Sequence, residues 1–596
     1  ALAMQRVILT LGVLVAASFS LPIDKNIQGG SLGDFVVAVD SSAPTQEQFA
    51  GKTLAAALSK ITGVSIPVTT PAQAKAKGAP TAAVGIDAAI GFGLDPSLPA
   101  DLGEEGLLVK SIASNVAITG ARNASRGAIY ATYELLRQLG TRFFAPNDTA
   151  WPTVTTMPTL DKSFTPLLED RQTYFYNVIH NIDFGIENEN DVGSYNATEG
   201  GSVLYVSPPG FVHTSNVIVP PEKYFATHPE WYALVNGKRQ SGYAQLCWSN
   251  ESLIEFVTQQ VQQYLRAQPD ANIISVSQND DQSYCQCDAC SALNDHDGTP
   301  MGSLLTAVNK VADSIKDEFP HVAVDTLAYQ YTRPAPKYTK PRDNVIIRLC
   351  SIECNFAAPL TDASNVKFQT DIVNWSKISN RLYIWDYVTD FANYVMPWPD
   401  YYSLGPNVRF FANHSVKGIF EEGTYGTPGG DMAEMKAWLL EQLLWDPTQD
   451  DRALISDFLS HHYGPAAAEV QTYLDVVYNS TVATKFYMGE SVPYTSAYLT
   501  PAVVLESMAL FNTAKTKVAT PELERVELAS LPTQYVLLLR WTEMQQYATA
   551  HKIPWPLDSS KLTAFNNFSA IFKAHNMLQL SEGGNNLDWL KKQIGV

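Results

Sequence analysis

The chain reads as a mixed α/β protein with a small α/β N-terminal domain, a central (β/α)8 barrel and an all-helical C-terminal region. Three observations predict this. Its 596 residues are too many for a single core. Between about residues 167 and 440, eight short β-branched or aromatic runs alternate with helical stretches, which is the size of one barrel. Beyond Trp445-Asp446-Pro447 no strand pattern survives. An open doubly wound sheet is the alternative for the central part.

The first domain is placed at residues 30–150. Phe49, Leu54, Leu58 and Ile61 fall at helical spacing within residues 46–62, and Gly63 is positioned to end that helix. Residues 82–86 and 106–118 read as strands, the latter as a pair turning at Ser114-Asn115. A second helix at residues 125–139 closes on Gly140, and a strand at 142–145 ends the unit. A Pro- and Thr-rich linker, residues 146–166, marks the boundary.

In the barrel, residues 167–440, the expected strands are 171–179, 202–206, 244–247, 273–277, 323–328, 345–349, 382–385 and 418–420. Helices at 253–267, 302–318 and 365–378 lie between them. The C-terminal domain, 441–596, carries helical periodicity at 453–463, 466–478, 501–516, 521–547 and 561–575.

Residues 1–20 have the layout of a secretory signal peptide. Arg6 precedes an apolar run from Val7 to Ala17, and small residues at Ser18 and Ser20 set cleavage before Leu21. The run is too short to span a bilayer. Asn-x-Ser/Thr acceptors stand at Asn123, Asn147, Asn196, Asn250, Asn374, Asn413, Asn479 and Asn567, which fits a glycoprotein exported to the extracellular space. The net charge of −19 argues against a nucleic-acid partner, because a polyanion would be repelled. No membrane association is expected after signal cleavage.

The six cysteines are Cys247, Cys285, Cys287, Cys290, Cys350 and Cys354. An even count in an oxidising compartment reads first as three disulfides. The Cys285-x-Cys287-x-x-Cys290 cluster could instead hold zinc, although no His sits at ligand spacing within it.

In a (β/α)8 barrel the active site lies at the C-terminal ends of the strands. The fourth expected strand runs into Asn279-Asp280-Asp281, the sixth into Glu353, the seventh into Trp385-Asp386-Tyr387 and the eighth into Glu421-Glu422. The fifth delivers Tyr329 and Tyr331. A single Asp or Glu is more often a surface or capping residue, but four strand ends delivering carboxylates to one rim is a pattern. Glycosidic bond cleavage needs two of them: one carboxyl protonates the leaving oxygen, the other acts as nucleophile or activates water.

Asp280, Glu353, Asp386 and Glu421 are therefore the candidate catalytic residues of a glycoside hydrolase whose partner is an oligo- or polysaccharide. His213, Asn279, Tyr329, Trp385, Tyr387 and Tyr425 are candidate sugar contacts, and Lys238, Arg239 and Arg348 are candidate partners for a uronic carboxylate. The same acids with His213 or His180 could bind a divalent ion, but no His-x-His pattern supports it. No metal or cofactor is expected at the active site. No Gly-x-Ser-x-Gly elbow points to a serine hydrolase.

The order of segments is familiar. Leu54 with Ile61-Thr62-Gly63-Val64, and Gly120-Ala121-Arg122 leading to Gly127-Ala128-Ile129-Tyr130-Ala131-Thr132-Tyr133, resemble the N-terminal domain of α-glucuronidases and β-N-acetylhexosaminidases. His228-Pro229-Glu230-Trp231-Tyr232, Asn236-Gly237-Lys238-Arg239, Ser277-Gln278-Asn279-Asp280, Cys285-Gln286-Cys287-Asp288-Ala289-Cys290, Leu349-Cys350-Ser351-Ile352-Glu353-Cys354, Tyr383-Ile384-Trp385-Asp386-Tyr387 and Lys417-Gly418-Ile419-Phe420-Glu421 resemble a family filed as domain of unknown function 4838. The resemblance runs from about residue 45 to about 465.

It implies a glycosidase-type barrel and gives no substrate. By analogy with α-glucuronidases, it casts Asp280 as general acid and Glu353 and Asp386 as candidates to activate water in an exo-acting, inverting enzyme. The hexosaminidase analogy instead makes Asp280-Asp281 an acidic pair serving a substrate-assisted reaction with no protein nucleophile; the family resemblance favours the α-glucuronidase-like scheme and ranks Glu422 below Glu421. A non-catalytic carbohydrate-binding protein is the rival class.

Overall fold

The computed structural model describes residues 30–122, 126–192 and 195–596. The expected signal peptide and the acceptor Asn123 lie outside the described residues.

The N-terminal part contains β1 (Val36–Val39), β2 (Val68–Thr69), β3 (Thr81–Val84), β4 (Leu107–Ile112) and β5 (Asn115–Gly120). A hairpin of β6 (Arg142–Ala145) and β7 (Asp148–Ala150) follows, then β8 (Asp161–Phe164). One six-stranded sheet runs β2-β1-β3-β5-β4-β8, parallel through β5 and antiparallel at β4 and β8. The helix Thr45–Thr62 ends as its sequence dictates: Gly63 takes φ 70° and returns its N–H to the Ser59 carbonyl.

The helix Gly127–Leu139 packs directly against β5. A Cβ on Gly120 would sit 2.5 Å from the Gly127 Cα, so both glycines are needed for that approach. One expectation changes here. The supposed linker supplies both β7, which pairs with β6 in a hairpin, and β8 at the sheet edge. β1, buried at all four residues, carries no alternation to announce it.

The central sheet comprises β9 (Asp170–Tyr174), then, after the small hairpin of β10 (Leu234–Val235) and β11 (Lys238–Arg239), β12 (Ile273–Ser275), β13 (Ala323–Ala328), β14 (Val345–Cys350), β15 (Leu382–Tyr387) and β16 (Val416–Glu422). Its order is β12-β13-β14-β15-β16-β9 and every pairing is parallel. It is a curled, half-barrel sheet. Of the eight strands expected of a closed barrel, six form.

The expected second strand contributes a single parallel bridge, Tyr205 to Ile273, and the third only an antiparallel bridge from Leu246 to Tyr232. The reason at the third position is local. The Gln245 side chain makes the pairing a strand backbone would have made. Its Nε2 donates to the Asn279 carbonyl at 2.8 Å, and its Oε1 accepts the Asn279 N–H at 3.0 Å.

From Ala433 to the C-terminus the described elements are helical: Ala433–Trp445, Asp451–His462, Ala467–Thr484, Pro501–Lys515, Glu522–Leu539, Trp541–His551, Lys561–Ala574 and Leu587–Ile594. The run expected at 521–547 breaks at Arg540. No described helix is long and apolar enough to cross a membrane. Of the described acceptor asparagines, Asn147, Asn196, Asn374, Asn413, Asn479 and Asn567 are exposed. Asn250 is partly buried, its side chain capping the helix Glu251–Ala267 by accepting from the Leu253 N–H.

Candidate active site

A cavity of about 300 Å³ opens at the C-terminal ends of the curled sheet. Asp280 reaches it from the loop after β12, and Glu422 from the end of β16. Four strand spacings separate their strands, about 19 Å along a flat sheet. The curl brings them to one cavity.

His213, Tyr329, Trp385 and Tyr387 complete much of the wall, Tyr329, Trp385 and Tyr387 from strand ends and His213 from a loop. The Trp385 and Tyr387 rings are stacked, 6.1 Å apart at 19°. His213 is held at φ 54°. Its Nδ1 lies 3.0 Å from the Gln278 carbonyl; a carbonyl can only accept, so that nitrogen bears the proton.

The remaining expectations need correction. Asp386 and Glu421 do not line the cavity. They are register partners on β15 and β16, and their side chains leave the face opposite to Trp385, Tyr387 and Glu422. Successive strand residues point to opposite faces, so one step in register moves the rim carboxylate from Glu421 to Glu422. Asp386 is buried, accepts a short hydrogen bond from Ser351 Oγ, and is pushed up to about 6 by burial. Burial and the neighbouring Asp386 and Asp400 carboxyls push Glu421 well above the usual carboxylate range.

Glu353 is half exposed and paired with Arg333, which also holds Asp371 at 2.7 Å. Asn279 is fully buried and serves the loop, donating to the Ala244 carbonyl at 2.6 Å. Arg348 is also fully buried; it pairs with Asp325 at 3.1 Å and bonds the Tyr205 hydroxyl. Lys238 and Arg239 lie on the hairpin beside the cysteines, away from the cavity.

The three expected disulfides are not formed. All six cysteines are free, and four of them converge on one point instead of pairing. Cys350 lines the cavity and Cys354 is buried.

Three wall carboxyls were not singled out from the sequence or were ranked low: Glu422, Glu490 and Glu582. Glu490 and Glu582 come from loops between C-terminal helices that close over the strand ends, and no neighbouring motif marks them. Tyr425 reaches this group indirectly, donating its hydroxyl to Glu582 at 2.6 Å.

Glu422 is pushed up to about 7, chiefly by burial and further by the Glu582 charge, against the Trp385 indole N–H that favours its ionised form. Burial, with the Asp280 charge next in weight, pushes the Tyr329 hydroxyl well up, so it stays a neutral donor. The cavity therefore offers a carboxyl that keeps its proton near neutrality, a second carboxyl on the far strand and flat aromatic faces between them.

No curated protein matches the sequence. Among solved structures, a GH138 enzyme targeting pectin rhamnogalacturonan II is similar at 11% identity and TM-score 0.39, over 94% of this chain and 78% of that one. A GH89 enzyme of Clostridium perfringens, seen with its substrate GlcNAc-α-1,4-galactose, is similar at 11% identity and TM-score 0.49, over 89% of this chain and 65% of that one. The chain thus spans just under two thirds of that enzyme's length. The family model for domain of unknown function 4838 matches residues 143–475, more than half of the sequence and all of the central sheet that builds the cavity, and the chain belongs to that family.

Proposed function

We propose that this protein is a secreted glycoside hydrolase that binds a neutral sugar in the cavity and cleaves its glycosidic bond with Glu422 and Asp280. The observation that carries this is the convergence of those two carboxyls, from strands four apart, on one cavity with aromatic walls. Glycoside hydrolysis uses such a pair on the two sides of the scissile bond.

Glu422 serves as the general acid. Held to about 7, it still carries a proton at the pH where an ordinary carboxyl has lost it. Trp385 Nε1–H occupies one of its oxygens at 2.8 Å, which leaves the other to protonate the leaving oxygen. Asp280 is the second carboxyl, stabilising positive charge on the sugar ring and directing the incoming group. Trp385, Tyr387 and Tyr329 supply ring faces and hydroxyls for the sugar.

The sugar class follows from charge. Among the described residues, four carboxyls line the cavity and no Lys or Arg does. A uronic carboxylate would find no cation there and would be repelled. Neutral sugars, N-acetylated ones included, are favoured over the uronic acid that the α-glucuronidase resemblance suggests.

The test is a panel of aryl glycosides and natural oligosaccharides offered to wild type, Asp280→Asn and Glu422→Gln. Loss of about 10²–10⁴-fold in kcat in Glu422→Gln, with a comparable loss in Asp280→Asn, supports the assignment. Turnover that survives both substitutions moves the site elsewhere. Sugar binding without turnover by wild type makes the protein a carbohydrate-binding one. Secretion and glycan occupancy are read by expressing the gene in a eukaryotic host and treating the medium with an N-glycan-releasing amidase; a mass drop is expected.

A further inference from the structure

We propose that Cys247, Cys285, Cys287 and Cys290 form a tetrahedral zinc site that pins the loop carrying Asp280. The four sulfurs all lie within 4.8 Å of one another, although Cys247 is far from the other three in sequence. Cys247 Sγ stands 3.6 Å from Cys287 Sγ and 3.9 Å from Cys290 Sγ. Four thiolates at the usual Zn–S length of about 2.3 Å put neighbouring sulfurs about 3.8 Å apart. The four thiols thus lie close enough together to close on one ion, two of their separations already near that edge length.

The spacing explains how the chain reaches this arrangement. Cys285-x-Cys287-x-x-Cys290 supplies three corners from one turn. Cys287 is the N-cap of the helix Asp288–Asp297 and Cys290 falls in its first turn. Cys247 comes from the segment that leads into the helix Glu251–Ala267.

Around the sulfurs stand the outer groups a thiolate site uses. The Leu234 N–H donates to Cys285 Sγ at 3.3 Å, Arg239 Nη1 lies 3.9 Å from the same sulfur, and Ser249 Oγ lies 3.0 Å from Cys290 Sγ. Arg239 offsets part of the double negative charge of a zinc ion with four thiolates. Cys247, Cys285 and Cys290 are buried and Cys287 is partly exposed, leaving an entry path at one corner.

With four protein ligands the site has no open position, so its role is structural. Cys285 lies five residues after Asp280, and the Gln286 N–H donates to the Leu234 carbonyl at 2.8 Å. A bound ion would tie the hairpin of β10 and β11, the Cys247 segment and the Asp280 loop into one unit.

The experiment uses the full-length protein purified without chelator. Metal content is read by atomic emission, the zinc is exchanged for Co(II), and the oxidation state of each cysteine is mapped by mass spectrometry. The expected result is one zinc per chain and a Co(II) spectrum with thiolate charge-transfer and tetrahedral d–d bands. Cys287→Ser, at the partly exposed corner, should keep the fold by circular dichroism while its zinc content and Co(II) bands fall. Protein that neither holds zinc nor takes up Co(II), or whose four cysteines are joined as two disulfides, overturns the site. So does an unchanged Co(II) spectrum in Cys287→Ser.

Discussion

The Trp385 indole Nε1–H donates to Glu422 Oε2 at 2.8 Å, linking adjacent strands of the sheet through the two residues that wall and arm the cavity. This bond favours the ionised carboxylate, whereas burial and the Glu582 charge favour the protonated acid. The balance near 7 is therefore adjustable from either side, which gives the acid assignment a signed test.

If Glu422 must be protonated to act, activity falls as pH rises through about 7. Trp385→Phe removes the donor, so the Glu422 proton is held more tightly and the alkaline limb of kcat/KM moves to higher pH. Glu582→Gln removes a like charge, so the limb moves to lower pH. Opposite shifts in the two variants identify Glu422 as the titrating acid. A limb that stays put in both, or moves the same way, assigns the titration to another group.

Glu421→Gln and Glu422→Gln should behave as opposites although the residues are neighbours. Glu421 faces away from the cavity, so its substitution leaves kcat within several-fold of wild type while Glu422→Gln loses about 10²–10⁴-fold. Stability moves the other way. Both Asp386 and Glu421 have raised folded-state values, so between the unfolded carboxylate range near 4 and about 6 for Asp386 the folded chain binds more protons than the unfolded one. Stability then falls as pH rises through that window and beyond it for Glu421. Glu421→Gln should reduce the loss in Tm between pH 4 and pH 8. A Tm profile unchanged from wild type would show that Glu421 does not carry this penalty.

Much of this site was legible before the fold was known, and the part that was not has definite causes. Asp280, Tyr329, Trp385 and Tyr387 follow or end apolar runs that form strands, so their arrival at one rim was readable, whereas His213 reaches it from a loop after a run that pairs only through the Tyr205 bridge. Glu422 was not, because parallel strands are buried on both faces and Gly418-Ile419-Phe420-Glu421-Glu422 has no alternation to fix which acid faces inward. Glu490 and Glu582 depend on how distant helices fold back over the sheet. The third strand looked apolar enough at residues 244–247, yet the Gln245 amide took over its pairing. Helices fared better: the period of Phe49, Leu54, Leu58 and Ile61, with Gly63 behind it, located Thr45–Thr62 to within a residue.

The contact between the N-terminal part and the curled sheet makes a further measurable demand. Asp191 is buried between Arg126, with which it shares a short hydrogen bond, and Arg171, whose backbone N–H it accepts at 2.8 Å and whose Nη2 lies 3.3 Å away. Glu105 completes the group, 2.8 Å from Arg126 and 2.9 Å from Arg171. Two guanidiniums and two carboxyls balance there, with Arg126 leading into the helix Gly127–Leu139 and Arg171 on β9. Asp191→Asn keeps the volume and removes one charge, leaving two buried cations with a single anion. Breaking a buried pair in this way costs about 3–5 kcal/mol, far more than an exposed pair would. A fall in Tm of about 3–4 °C is expected for a chain of this length, read by calorimetry at neutral pH. Glu318→Gln, which breaks the exposed pair with Arg266, is the control and should leave Tm within about a degree. Equal Tm values for the two variants would show that the buried group does not clamp the N-terminal sheet to the central one.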